Sequence, residues 1–154
     1  MLDGDRPLWI GNPDDGAAVL DGFLSGHLDD VRARQKNANV VWKKAVDAPE
    51  KRPEAVAALH GLAGQENSVA WELVDSSNAS PGELALAVEL ARDAAESTSA
   101  LDFAILDTYE LGLSKTGNDA EAARVARRVI ALCDAVKGEC TEERARAEAV
   151  LKGK

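Results

Sequence analysis

Residues 105–132 read ILDTYELGLSKTGNDAEAARVARRVIAL and contain two helical segments joined by a short polar turn. Apolar residues recur at helical spacing on both sides of that turn. Gly117 ends the first helix and permits the turn, and Asn118 or Asp119 caps the second helix. Because so short a connection makes neighbouring helices pack antiparallel, the stretch predicts a helical hairpin.

The same pattern of helices and short connections extends over most of the chain. An apolar stripe predicts an earlier helix from about Leu28, and Pro53 suits the first turn of a weaker helix that follows it. Thr141 is a candidate N-cap, and Gly138 is a candidate C-terminal stop. The predicted helices of the second half lie near residues 66–76, 82–97, 101–116, 119–137 and 141–152.

The composition supports a helical protein. Hydrophobic residues make up 45% of the chain but aromatic residues only 4%, so the core must be built mainly from Ala, Leu and Val. Small side chains suit close packing of helices, whereas sheets favour β-branched and aromatic residues. The chain has 154 residues, enough for one domain of ordinary size.

Two of the predicted hairpins share a repeat of 35 residues. In each of them a large residue of the first helix faces small residues of the second helix, and a glycine is expected to end the first helix. A fixed period of this size, with one helix pair in each unit, is typical of helical repeat proteins. The matched positions are Trp71 and Leu106, Val74 and Tyr109, Gly82 and Gly117, Ala87 and Ala122, and Ala94 and Val129.

These hairpins resemble the tetratricopeptide repeat, more closely in residues 105–132 than in residues 69–95, VAWELVDSSNASPGELALAVELARDAA. The family's early glycine and terminal proline are absent here. The resemblance implies a concave groove lined by the first helix of each hairpin, with Asp107 and Lys115 as its polar residues of first interest. The implied groove residues are Glu72, Ser76, Ala104, Asp107, Leu111, Ser114 and Lys115.

The N-terminal segment contains a strand-like run, RPLWIG, at residues 6–11. Pro7 suits a strand start or a sheet edge, because proline cannot donate to a sheet ladder. The longer segment LDGDRPLWIGNPDDGAAVLDGFLSGHLD, residues 2–29, resembles the C-terminal hairpin and last helix of a thioredoxin-like domain. The Cys-x-x-Cys motif and the rest of that family's sheet are missing from this sequence, so the resemblance implies a remnant without redox activity.

Leu8, Trp9 and Ile10 form a candidate edge-strand interface. An exposed apolar strand edge favours pairing with another chain. Two copies could pair their strands as a homodimer, or the strand could dock onto a separate protein that contains a sheet. In the remaining interpretation, residues 1–13 pack against the helices of their own chain or are disordered.

The charge of the chain limits its partners. The net charge is −9, with 27 acidic and 18 basic residues, which disfavours nucleic acid and anionic membranes as partners. No apolar run is long enough to cross a bilayer, and the N-terminus has no signal-peptide pattern. We therefore expect a cytoplasmic protein.

The residue types that carry chemistry are few and scattered. The sequence contains no nucleophile elbow, phosphate loop or metal-ligand spacing, so we expect a protein without catalytic activity, cofactor or metal. His27 and His60 are isolated in the sequence. Cys133 and Cys140 are either two separate thiols or a disulfide closing the turn between the last two helices, which would contribute about 2 kcal/mol.

The prediction as a whole is a mainly α-helical protein of antiparallel, tetratricopeptide-like hairpins with one short N-terminal β-strand. Residues 1–47 hold the strand and two helices, residues 48–65 a linker and a weak helix, and residues 66–154 the repeat with a capping helix, together in one compact unit. The predicted function is a non-catalytic protein-interaction module that binds a peptide or partner protein through the groove or the edge strand. The alternative is an accessory or C-terminal part of a thioredoxin-like redox protein.

Overall fold

Helices dominate the computed structural model, which describes residues 2–3, 6–7, 25–46, 48–136 and 140–153. The prediction of a mainly helical protein is confirmed. A 3-10 turn at Pro49–Lys51 precedes the second helix. The seven α-helices among the described residues are α1 Leu28–Ala45, α2 Arg52–Leu59, α3 Ala63–Asp75, α4 Pro81–Ser97, α5 Phe103–Lys115, α6 Asp119–Val136 and α7 Thr141–Leu151.

Two short strands lie at the N-terminus. β1 (Leu2–Asp3) pairs antiparallel with β2 (Arg6–Pro7), so that Leu2 is opposite Pro7 and Asp3 is opposite Arg6. The remainder of the predicted strand, residues 8–11, and the predicted helix after it up to residue 24 lie outside the described residues.

The chain divides into two compact units, Met1–Gln65 and Glu66–Lys154. In the first unit α1 packs against α2. Arg34 of α1 also donates a hydrogen bond to the carbonyl of His60, just after α2. Apolar side chains from both helices form the core of this unit, namely Ala38, Trp42, Ala45, Ala55 and Leu59.

The start of α4 is fixed by local side chains. The Ser80 hydroxyl accepts a hydrogen bond from the Glu83 amide (3.3 Å), while the Glu83 carboxylate accepts one from the Ser80 amide (2.8 Å). This capping box, with Pro81 at the first helical position, begins the helix before Gly82. The prediction that Gly82 ends the preceding helix is therefore wrong, whereas Gly117 follows α5 with a φ of +75°, as a turn requires.

The starts of α5 and α7 differ in their side-chain capping. Asp102 caps α5 by accepting from the amides of Ala104 (2.8 Å) and Ile105 (3.1 Å). Thr141 is the first residue of α7 and Cys140 occupies the N-cap position without a side-chain bond, so the prediction of Thr141 as N-cap is wrong. Gly138 lies outside the described residues.

In the second unit the helices from α4 to α7 pack against their sequence neighbours. α5 contacts α4, α6 and α7, and α6 also packs against α7. Many of the core residues are small, which lets the helices approach closely. The buried apolar residues of α4 to α6 are Ala87, Leu90, Ala91, Ala94, Ala95, Ile105, Leu106, Leu113, Ala122, Val125, Ala126, Val129 and Cys133.

Candidate functional site

The predicted groove residues lie on α3, just after it, and on α5. Glu72, Ser76 and Lys115 are exposed, Ala104, Leu111 and Ser114 are half-buried, and Asp107 is buried. The Lys115 ammonium donates a hydrogen bond of 2.6 Å to the carbonyl of Val74, which ties the end of α5 to the end of α3. The C-terminal ends of α3 and α5 therefore lie next to each other.

Asp107 has an ion-pair partner within the chain. Its side chain is only 3% exposed, and both of its oxygens accept from Nε of Arg146 in α7, at 2.9 and 3.0 Å. A second guanidinium nitrogen lies 2.8 Å from Asp107 Oδ2. Burial raises the pKa of Asp107 more than Arg146 lowers it. The ion pair between Asp107 and Arg146 thus joins α5 to α7.

Arg146 also reaches α3. Its guanidinium carbon lies 5.6 Å from the centre of the Trp71 ring, a distance at which a cation is attracted to the face of an indole. Trp71 is half-buried, and the Arg146 side chain is 35% exposed. We call the surface formed by Trp71, Asp107, Leu111 and Arg146 the Trp71 face. It joins three helices that are separated in sequence.

Glu110 lies one helical turn after Asp107 and is 1% exposed. Its Oε2 has no hydrogen-bond partner among the described residues. Burial, and next the charge of Asp107, raise the pKa of Glu110 to about 8, although Arg146 opposes the shift. Sequence reasoning missed this residue; the available signal was a glutamate between Leu106 and Leu113 on the apolar side of α5.

A cavity of about 460 Å³ opens on α4, α5 and α6. Its base is apolar and contains Ala95, Leu106 and Val125, each at most 5% exposed. Three arginines and two glutamates stand among the lining residues, and we call this site the arginine cavity. Its lining consists of Arg92, Ala95, Glu96, Ser99, Ala100, Leu106, Tyr109, Glu121, Arg124, Val125 and Arg128.

Two of the arginines that line the cavity already have acidic partners. Arg124 binds both oxygens of Glu121, at 2.8 and 2.5 Å. Arg92 lies 3.5 Å from an oxygen of Asp93 and 4.0 Å from one of Glu96. Arg128 instead donates through Nε to the carbonyl of Ala100, at 3.2 Å. The three guanidinium groups therefore differ in how much of their charge is neutralised.

The loop between α4 and α5 has an uncommon backbone. Ser99 and Ala100 both adopt left-handed conformations, with φ of 55° and 52°. Such conformations cost non-glycine residues on the order of 1 kcal/mol each and persist only where surrounding contacts hold them. Here the Ala100 amide donates to the carbonyl of Ala95 (2.7 Å), and its own carbonyl accepts from Arg128.

Two predicted sites remain, the cysteine pair and the edge strand, and the structure describes only the cysteine pair. Cys133 and Cys140 are joined by a disulfide, with their Cα atoms 5.6 Å apart, and the bond links the end of α6 to the residue before α7. Leu8, Trp9 and Ile10 lie outside the described residues, so the edge-strand interface stays a prediction.

The Trp71 face and the arginine cavity both place arginine side chains beside apolar or aromatic ones. Neither the Trp71 face nor the arginine cavity contains a histidine or a cysteine, so neither surface holds a Ser–His or Cys–His pair. Both offer arginine donors beside apolar or aromatic surface. That combination suits recognition of a ligand that is partly apolar and partly polar.

Comparison with known proteins adds no relative: no family model, curated protein or solved structure matches the chain. Among the described residues, no helix has both the length and the apolar character needed to cross a bilayer.

Proposed function

We propose that the chain is a non-catalytic protein-interaction module that binds a peptide or protein segment through the Trp71 face. The observation that carries this proposal is the position of Arg146, which pairs with Asp107 while lying over Trp71. Tryptophan and arginine are the side chains that most often dominate the energy of protein interfaces. Here both are partly exposed, and the arginine is already oriented by a buried carboxylate.

The finer architecture that goes with this function is a pair of antiparallel, tetratricopeptide-like hairpins. In this proposal α3 with α4 and α5 with α6 form the two repeats, and α7 caps them. The 35-residue spacing supports both repeats, and the packing of α5 against α6 supports the second hairpin. Burial of Leu106 against a helix with buried Ala122 also fits a large residue facing a small one.

The structure changes the roles that we assign to the two polar groove residues. Asp107 and Lys115 already bind Arg146 and the Val74 carbonyl, so in this proposal they position the helices rather than contact the partner. Beside Trp71 and Arg146, the predicted groove residues left to touch a partner are the exposed Glu72 and Ser76 and the half-buried Ala104, Leu111 and Ser114.

The test begins with peptides selected from a random display library against the full-length chain. Their affinity is then measured for the Leu111→Arg variant and for the matched Leu86→Arg variant, which changes a half-buried leucine of α4, a helix that contributes no residue to the Trp71 face. We expect Leu111→Arg to weaken binding about tenfold or more and Leu86→Arg to leave it unchanged.

Thermal unfolding of both variants identifies a loss of folding; if Leu111→Arg unfolds, Ser114→Arg takes its place. The proposal is wrong if the selected peptides bind Leu111→Arg, or Ser114→Arg used in its place, as tightly as the unmodified chain. It is also wrong if repeated selection yields no peptide that binds.

The edge-strand interface and the role as an accessory part of a thioredoxin-like protein stay predictions, since they rest on residues outside those described. A cytoplasmic location also stays a prediction. The Cys133–Cys140 disulfide favours an oxidising compartment instead, because thiols are kept reduced in most cytosols.

A further inference from the structure

The arginine cavity is distinct from the Trp71 face, since the two surfaces share no residue. Its volume of about 460 Å³ lies within the range of pockets that hold small molecules, roughly 300–1,000 Å³. Because Ala95, Leu106 and Val125 form its base, an apolar body of a ligand would find contact surface there.

Arg128 differs from the other two arginines of the cavity because no carboxylate of a described residue is paired with it. Its Nε donates to the Ala100 carbonyl, and no carboxylate of a described residue lies within 4.0 Å of its nitrogens. A guanidinium has five N–H groups, so most of its donors remain for a ligand. Arg92 and Arg124, in contrast, are already paired with carboxylates on their own helices.

Two further features adapt the cavity to a polar ligand. Tyr109 lines it, and its hydroxyl makes no hydrogen bond to any described residue. The left-handed pair Ser99–Ala100 aims the Ala100 carbonyl at Arg128, so the guanidinium is held by backbone rather than by an acidic side chain. The strained loop thus orients the cation without neutralising it.

We propose that the arginine cavity binds a small organic monoanion, a carboxylate carried on an apolar body. Of the three arginines that line the cavity, Arg92 and Arg124 are paired with carboxylates and Arg128 has none among the described residues, which leaves one positive charge for the ligand to match. A dianion such as phosphate would face Glu96 and Glu121 with a second charge that nothing balances. The carboxylate binds Arg128 and the Tyr109 hydroxyl, and the apolar body lies on Leu106 and Val125.

The test uses phenylacetate as the probe in NMR titrations of the full-length, ¹⁵N-labelled chain at low salt. Phenylacetamide, of nearly the same shape but neutral, and inorganic phosphate serve as ligand controls. The variant Arg128→Gln removes the unpaired charge. Arg127→Gln removes the charge of the adjacent exposed arginine, which does not line the cavity.

We expect phenylacetate to shift the amide signals of residues that line the cavity, with binding about tenfold weaker or more in Arg128→Gln and unchanged in Arg127→Gln. Phenylacetamide and phosphate should leave those signals in place. Equal binding of acid and amide, equal losses in the two arginine variants, or no shift at millimolar phenylacetate would each overturn the proposal. The comparison of acid with amide needs no variant, so it stays decisive even if Arg128→Gln folds poorly.

Discussion

Arg146 contacts the buried Asp107, the ring of Trp71 and, at 3.8 Å, the exposed Glu142, and the energies of these contacts are not equal. Its pair with Asp107 involves a carboxylate that is 3% exposed, whereas its contact with Trp71 lies at the surface. Removal of one partner of a buried ion pair leaves the other charge without solvent or counter-ion, which is far more costly than the loss of an exposed pair. The stability of the second unit therefore depends on this residue more than on its other arginines.

We expect Arg146→Gln to lower the free energy of unfolding by about 2–3 kcal/mol, because Asp107 would stay buried and unpaired. The matched control is Arg144→Gln in the same helix, whose pairs with Asp134 and Glu148 are exposed. That change should cost less than about 1 kcal/mol. Urea unfolding of both variants makes the comparison, and equal losses would mean that the Asp107 pair contributes no more than a surface contact.

Glu110 should make stability depend on pH. Its folded pKa of about 8 lies above the ordinary value of 4.5, so between these limits the folded state holds a proton that the unfolded state has lost. Stability is then fully retained below the unfolded pKa and falls as pH rises toward 8. The shift has a structural cause, namely a buried carboxyl next to Asp107 with an oxygen that no described residue binds.

The variant Glu110→Gln should remove this slope. Between pH 5 and pH 8 we expect the unmodified chain to lose about 2–4 kcal/mol of unfolding free energy relative to the variant. Glu89→Gln, at an exposed position of α4, should keep the pH dependence of the unmodified chain. Urea unfolding across this pH range tests the prediction, and parallel curves for the chain and Glu110→Gln would contradict it.

At the scale of the helices, close approach depends on Gly112 of α5. A Cβ built at this position would lie 3.0 Å from Val88 Cγ2 of α4 and 3.5 Å from Val74 Cγ2 of α3. Alanine normally stabilises a helix relative to glycine by about 1 kcal/mol, but overpacking of a well-packed contact costs about 1–3 kcal/mol. A branched valine has little freedom to move aside, so the steric term should exceed the helix propensity.

Gly112→Ala should therefore destabilise the protein by about 1–2 kcal/mol. Gly82→Ala, in the first turn of α4 with no atom within 4 Å of its added Cβ, should instead stabilise it by about 0.5–1 kcal/mol. Val88→Ala in the Gly112→Ala background should recover part of the loss. Thermal or urea unfolding measures all three, and a stabilised Gly112→Ala would show that the helices can separate at no cost.

For the molecule as a whole, the N-terminal strand concerns assembly. If Leu8, Trp9 and Ile10 pair with a second copy, light scattering should give twice the chain mass for the full-length protein and the monomer mass once residues 1–13 are removed. The physical reason is that unpaired backbone groups at an apolar strand edge favour another strand. Two monomeric species would contradict the homodimer and leave packing within the chain or a different partner.

The predicted helices of the second half agree closely with α3 to α7. The prediction of 82–97, for instance, corresponds to Pro81–Ser97, and that of 119–137 to Asp119–Val136. The two predictions that the structure contradicts, Gly82 as a C-terminal stop and Thr141 as an N-cap, both concern helix ends. The 35-residue spacing aligns Gly82 with Gly117 and so predicts a C-terminal stop, but the Ser80–Glu83 capping box begins α4 before Gly82.

Apolar periodicity, prolines and capping residues were enough to establish the helices, because each of these signals acts over a few neighbouring residues. The burial of Asp107, the raised pKa of Glu110 and the arginine cavity were not accessible in this way. Asp107 and Arg146 are 39 residues apart, and the cavity combines residues from three helices. Burial and charge pairing depend on which helices pack together, so these properties arise from the tertiary fold rather than from local sequence.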